Sequence, residues 1–152
     1  VSGVAASNEM ITTFRRKHRY FNTFAASPVQ AAAGMAVIDE ITDRGLVASV
    51  ETIGSGLRTS LQNLQADEPR MGDVRGHGLF VGIDWVLPGT TTPDVAGAAA
   101  MVEALKAKDM LLGKAGRHGN VLKVRPPLVF EQSHADLFLA AFTEVLHDAD
   151  RC

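Results

Sequence analysis

The chain has 152 residues, 46% hydrophobic and 21% charged, which suits one ordinary domain large enough to bury a real core. Fifteen basic against seventeen acidic residues give a net charge of −2, and a nucleic-acid footprint would need an excess of Lys and Arg on one face. No apolar run approaches the roughly 20 residues that cross a bilayer, and the leading VSGVAASNEM lacks the basic and apolar regions of a signal peptide.

The single cysteine, Cys152, allows no internal disulfide, which is compatible with a reducing cytosol. The chain starts without an initiator Met, so it reads as processed or as a piece of something larger. The one basic cluster, RRKHR (Arg15 to Arg19), reads as a solvated helix end. In RYFNTFAASPV, Thr23 stands where an irregular segment gives way to a helix. Ser27-Pro28 predicts that helix start, with Ser accepting an early N–H and Pro at the first helical position. Ala32, Met35, Val37, Ile38 and Ile41 then recur at close to helical spacing until DRG at 43–45.

A second helix is expected over Leu46 to Leu64, with Val50, Ile53, Leu57, Leu61 and Leu64 on one stripe, ended by ADEPR. In VRGHGLFVGIDWV, Leu79, Val81, Ile83 and Trp85 alternate with other residues, as in a strand with one buried face. Gly76 and Gly78 point to a turn or bulge just before it. After a loop ending at Pro93, a third helix runs from Val95 to Ala107 with Met101, Val102 and Leu105. MLLGKAGRHGNVLKVRPPLVF reads as a short strand, a Gly-rich turn and a strand over Val121 to Val124 that Pro126-Pro127 stops. The last helix, Ser133 to His147, has Ser133 as its expected cap and Leu137, Phe138, Ala141, Phe142 and Val145 as its apolar face. The order helix, helix, strand, helix, two strands, helix predicts an α+β domain with helices packed on a mainly antiparallel sheet.

The five histidines have no metal-ligand spacing and no second cysteine to join them. GRHGN is a glycine-bracketed turn without the Lys-Ser/Thr ending of a phosphate loop, and spacing assembles no Ser-His-Asp or Cys-His set. Taken by themselves, the residues stop at a soluble α+β domain.

Three blocks carry more. YFNTFAASPVQAAAGMAVIDEI, GDVRGHGLFVGIDWV and GNVLKVRPPLVF resemble, in order and spacing, three signature blocks of the class III aminotransferases, from about Phe14 to Leu146. The resemblance implies the carboxy-terminal portion of a fold type I enzyme dependent on pyridoxal 5′-phosphate. Residues 1–45 would be the end of the large domain with a linking helix, and residues 46–152 the small α+β domain. The full enzyme would be a cytoplasmic homodimer moving an amino group from an amine or amino acid to a keto acid or aldehyde. None of Lys17, Lys106, Lys108, Lys114 or Lys123 stands in the family's glycine-rich Schiff-base context, so no catalytic residue is assigned and this chain alone is expected to be inactive.

Thr23 matches the family threonine that hydrogen-bonds the cofactor phosphate of the neighbouring subunit; Ala25-Ala26-Ser27 departs from the glycines and Asn of many members. Lys123 matches a position where many members place an Arg on the substrate α-carboxylate, and Lys cannot reproduce that fork. It suits a phosphorylated amine as well, and VLK resembles the branch near the phospholyases. Arg125 shares the face of Lys123 by strand alternation, so the two could form one anion site. Arg75 and His77 read as structural and Trp85 as core. The alternatives are a phospholyase on the same cofactor and a non-catalytic stand-alone α+β module.

Overall fold

Alternation at Val81, Ile83 and Trp85 does place a strand face in the core, at 0%, 0% and 2% exposed, while Leu79, 5% exposed, is buried from the turn just before that strand. They belong to a computed structural model that describes residues 2–149, so Cys152 lies outside the described residues. The chain divides between Arg44 and Gly45 into two units.

The first unit holds α1 (Asn8–Lys17) and α2 (Pro28–Asp43). Ser7 caps α1 by accepting from the Met10 N–H, with Glu9 in the first turn and Arg15, Arg16 and Lys17 in the last, each sign where the helix dipole favours it. The basic cluster is thus an exposed helix end. The helix preceding it was not apparent from periodicity, because it buries no residue. In α2, Pro28 takes the first position as expected, but the Ser27 side chain makes no capping bond. The expected apolar stripe is uncovered, with Met35, Val37 and Ile38 more than half exposed.

The second unit runs α3 (Leu46–Asp67), β1 (Met71–His77), β2 (Phe80–Trp85), α4 (Val95–Lys106), β3 (Gly113–Ala115), β4 (Val121–Val124) and α5 (Gln132–Ala149). The four strands pair antiparallel throughout in the order β1-β2-β4-β3. One strand more is present than the alternation predicts. Gly76 lies inside β1, paired with Val81, and the turn falls at Gly78-Leu79. β1 escapes a period-two search because only Met71 and Val74 are buried, with a register irregularity between Met71 and Asp73.

Helices α3 and α4 lie against the sheet and α5 packs on both. The core joins Leu57 and Leu61 of α3, Val81 and Ile83 of β2, Met101 and Leu105 of α4, Leu122 of β4, and Phe138 and Phe142 of α5. Asp94 caps α4, its Oδ1 accepting the Gly97 N–H at 2.8 Å. Two expectations for α5 are corrected. It starts at Gln132, so Ser133 lies within its first turn and is not the cap. Leu137 is 60% exposed, because it lines an open cavity and does not face the core. Among the described residues no helix is long and apolar enough to cross a membrane.

Candidate functional site

Strand β4 is the fulcrum of the second unit's surface chemistry. Leu122 and Val124 point into the core, so Lys123 between them must present the opposite face. Its cross-strand neighbours are glycines on both sides, Gly82 on β2 and Gly113 on β3. Neither cross-strand neighbour therefore has a side chain to compete with the lysine stem. Arg125 follows two residues later, just past the last paired position, where Pro126-Pro127 ends the ladder and the chain turns out.

Lys123 and Arg125 both line one cavity of about 480 Å³. Its other walls are Met110 to Gly113, the Pro126-Pro127 pair, Val129, Phe130 and the first turns of α5 with Leu137 and Phe138. No Asp or Glu is on the lining, and neither cation forms an ion pair among the described residues. The result is two positive charges beside apolar walls in an open cavity, an arrangement that attracts an anion.

A residue that sequence reasoning passed over also lines this cavity: His134, in the first turn of α5. Its Nδ1 accepts the Glu131 N–H at 3.0 Å, and its ring packs 5.4 Å from that of Phe130. The signal was available in the spacing. His134 falls three residues after Glu131, where a capping box places a side-chain acceptor for the N-cap N–H.

Thr23 stands in the first unit, in a turn over residues 23–26. Asn22 organises that turn, its Oδ1 accepting the Phe24 N–H at 2.9 Å and its carbonyl accepting the Ala25 N–H at 3.2 Å. Ala26 closes it in the left-handed region, φ +58°, where glycine would be unstrained. Thr23 is exposed, and its hydroxyl makes no hydrogen bond among the described residues.

Two other charged clusters of the second unit are committed elsewhere. Arg75 bonds Asp84 at 2.9 Å and Asp73 at 2.7 Å, and the two carboxylates raise its pKa further. This ties β1 to β2 and gives Arg75 the structural part expected of it. Burial pushes the Glu68 carboxyl up, but the hydrogen bonds and charge of Arg70 outweigh it, leaving Glu68 below the ordinary carboxylate range. Arg70 holds it with both prongs, at 2.6 and 2.5 Å, and lies 5.7 Å over the Trp85 ring. Trp85, 2% exposed, is core as read.

Comparison with known proteins gives the arrangement a context. The pattern described as aminotransferase class III matches residues 1–146. A Caenorhabditis elegans protein named ethanolamine-phosphate phospho-lyase homolog 1 is 36% identical over 148 residues, covering 96% of this chain and 32% of that protein. An Arabidopsis thaliana alanine–glyoxylate aminotransferase 2 homolog is 33% identical over 140 residues, covering 91% of this chain and 29% of that protein. Among solved structures, a phospholyase from Arthrobacter in complex with phosphoethanolamine superposes with a TM-score of 0.89 at 37% identity, over 93% of this chain and 34% of that one. A Bacillus anthracis aminotransferase superposes at 0.78 and 27% identity, over 86% of this chain and 30% of that one. The chain spans about a third of the length of the curated relatives it matches.

Proposed function

Because the chain belongs to the class III aminotransferase family, we propose that it forms the carboxy-terminal part of an aminotransferase that takes an amine substrate carrying an anionic group. Pyridoxal 5′-phosphate is the cofactor of this family. In this reading, residues 1–45 finish the large domain and residues 46–152 are the small domain. The full-length enzyme works as a cytoplasmic homodimer on an amine or amino acid and a keto acid or aldehyde. The observation that carries the proposal is the pair Lys123 and Arg125 in a cavity without a carboxylate.

The donor set fits the cofactor at its phosphate end. Thr23 offers an exposed hydroxyl with no partner among the described residues, on a turn already ordered by Asn22, and a hydroxyl is a good neutral donor to a phosphate oxygen. When bound, pyridoxal phosphate supplies an electron sink for the carbon next to the substrate nitrogen. The chain's own residues bind and orient. Lys123 and Arg125 hold the substrate's anion, the apolar walls around Val129, Phe130 and Phe138 flank the rest of the substrate, and Thr23 anchors a phosphate across the dimer. The Schiff-base lysine is supplied by a part of the enzyme outside these 152 residues.

A second reading, elimination of phosphate from a phosphorylated amine, has its own support. Lys123 is a compact point charge with three donors, suited to phosphate and unable to make the two-pronged contact that arginine makes with a carboxylate. The phospho-lyase name of the nematode relative and the TM-score of the Arthrobacter phospholyase support the same reading. A stand-alone binding module is less well supported, since an independent domain would cover the apolar side of α2.

The test uses the full-length enzyme that carries this sequence. It is offered an amino acid with a keto acid, or phosphoethanolamine alone, while amino-group transfer and inorganic phosphate release are followed. Lys123→Ala should raise KM for the anionic substrate by about tenfold or more, as expected for a lost hydrogen bond to a charged group. An unchanged KM refutes the anion-site reading, and the product formed decides between the two reactions.

A further inference from the structure

The cavity of Lys123 and Arg125 has a third nitrogen-bearing side chain on its wall, and it arrives from a different element. His134 belongs to the first turn of α5, whereas the two cations come from the end of β4. Its Nδ1 accepts the Glu131 N–H. An imidazole nitrogen that accepts carries no proton, so the proton of the neutral ring sits on Nε2. That Nε2–H has no hydrogen-bond partner among the described residues. The cap and the contact with Phe130 hold the ring from two sides. His134, an exposed residue of the cavity lining, thus keeps one donor of fixed tautomer beside a cavity whose lining lacks any carboxylate.

We propose that His134 is a third anion-binding residue of this cavity, and that the set of Lys123, Arg125 and His134 favours a phosphate monoester over a carboxylate. The inference rests on the reading of this cavity as the substrate's anion site. A carboxylate presents two oxygens and one charge. A phosphate monoester presents three terminal oxygens and nearly two charges, enough for donors from three side chains at once. The capping bond calls for an acceptor at this position, and a neutral one suits the cavity: Glu would cap the helix equally well, but would set a negative charge on the cavity lining.

The test titrates the full-length enzyme that carries this sequence, labelled with ¹⁵N, with inorganic phosphate and separately with acetate near neutral pH. Phosphate should move the His134 Nε2 resonance while Nδ1 stays in its acceptor position, and should bind about tenfold tighter than acetate. His134→Leu should lose about tenfold in phosphate affinity with little change for acetate. His134→Gln, which keeps an acceptor for the Glu131 N–H and an amide donor, should recover most of it. Phosphate binding that shifts Lys123 and Arg125 but leaves Nε2 unmoved overturns the proposal while the anion site stands. Absence of saturable phosphate binding, or affinity that survives Lys123→Met, overturns the anion-site reading and the proposal with it.

Discussion

Replacing Gly54 with Ala tests a close backbone approach in the second unit, between α3 and the β1–β2 turn. A Cβ on Gly54 would lie 2.1 Å from the Gly78 carbonyl oxygen, 2.3 Å from its carbonyl carbon and 2.9 Å from its Cα. All three atoms are backbone, so no side chain can swing aside, and the helix and hairpin must part by about 0.9 Å to reach the 3.0 Å that Cβ contacts respect. Gly78 itself sits at φ +51°, which leaves the turn little freedom to adjust. Overpacking of this kind costs about 1–3 kcal/mol, and a rigid backbone neighbour puts this case at the upper end. The better helix propensity of Ala returns about 1 kcal/mol, so the net destabilisation should be about 2 kcal/mol. Gly56, two residues on in the same helix, has nothing within 4 Å of its added Cβ, and Gly56→Ala should stabilise by about 1 kcal/mol. Urea unfolding of the two variants beside the wild type reads both signs. If Gly54→Ala falls within about 0.5 kcal/mol of the wild type, or if the two variants shift in the same direction, the close packing of α3 on the turn is wrong.

Glu68→Gln breaks the two-pronged contact with Arg70 and should cost about 2 kcal/mol at neutral pH. A carboxyl held below its unfolded value stabilises the fold above that value, and the contribution is lost as pH falls through the folded one. The gap between wild type and variant should therefore narrow below about pH 4, and a gap that widens there would contradict the pairing. Asn120, 6% exposed, donates from Nδ2 to the Trp85 carbonyl at 2.8 Å. Asn120→Ala should cost about 1.5 kcal/mol with an unchanged urea slope, since the backbone bond from the Trp85 N–H to the Asn120 carbonyl remains.

What could be read from the sequence follows from where burial imposes a period. Ile53, Leu57 and Leu61 of α3 and the alternation along β2 announce themselves because one side of each element meets the core. Lys123 and Arg125 shared a face by strand alternation alone, and both line one cavity. Elements with little to bury were silent. Helix α1 buries nothing, and β1 buries two residues three apart, a spacing that does not fit a strand's period of two. The glycines flanking Lys123 could not be found without the register, because Gly82 and Gly113 lie far from it in the chain and become its neighbours only through pairing. His134 was hidden differently, since weighing the histidines as metal ligands overlooked that one could serve a helix end. Leu137 fits the apolar stripe of α5 by spacing, but while Ala135 and Phe138 of the same turn are buried, the leucine is left exposed and meets the cavity.

The absence of any buried residue in α1 or α2 has a calorimetric consequence. Heat absorbed on melting tracks the structure that is cooperatively lost, about 0.7 kcal/mol for each residue near 60 °C. With the core confined to the unit from Gly45 onward, the transition should absorb about 70 kcal/mol, the value for a domain of roughly a hundred residues. The helix that follows Thr23 would then add almost nothing to the peak, and substitutions along it would leave the melting temperature of this chain where it was.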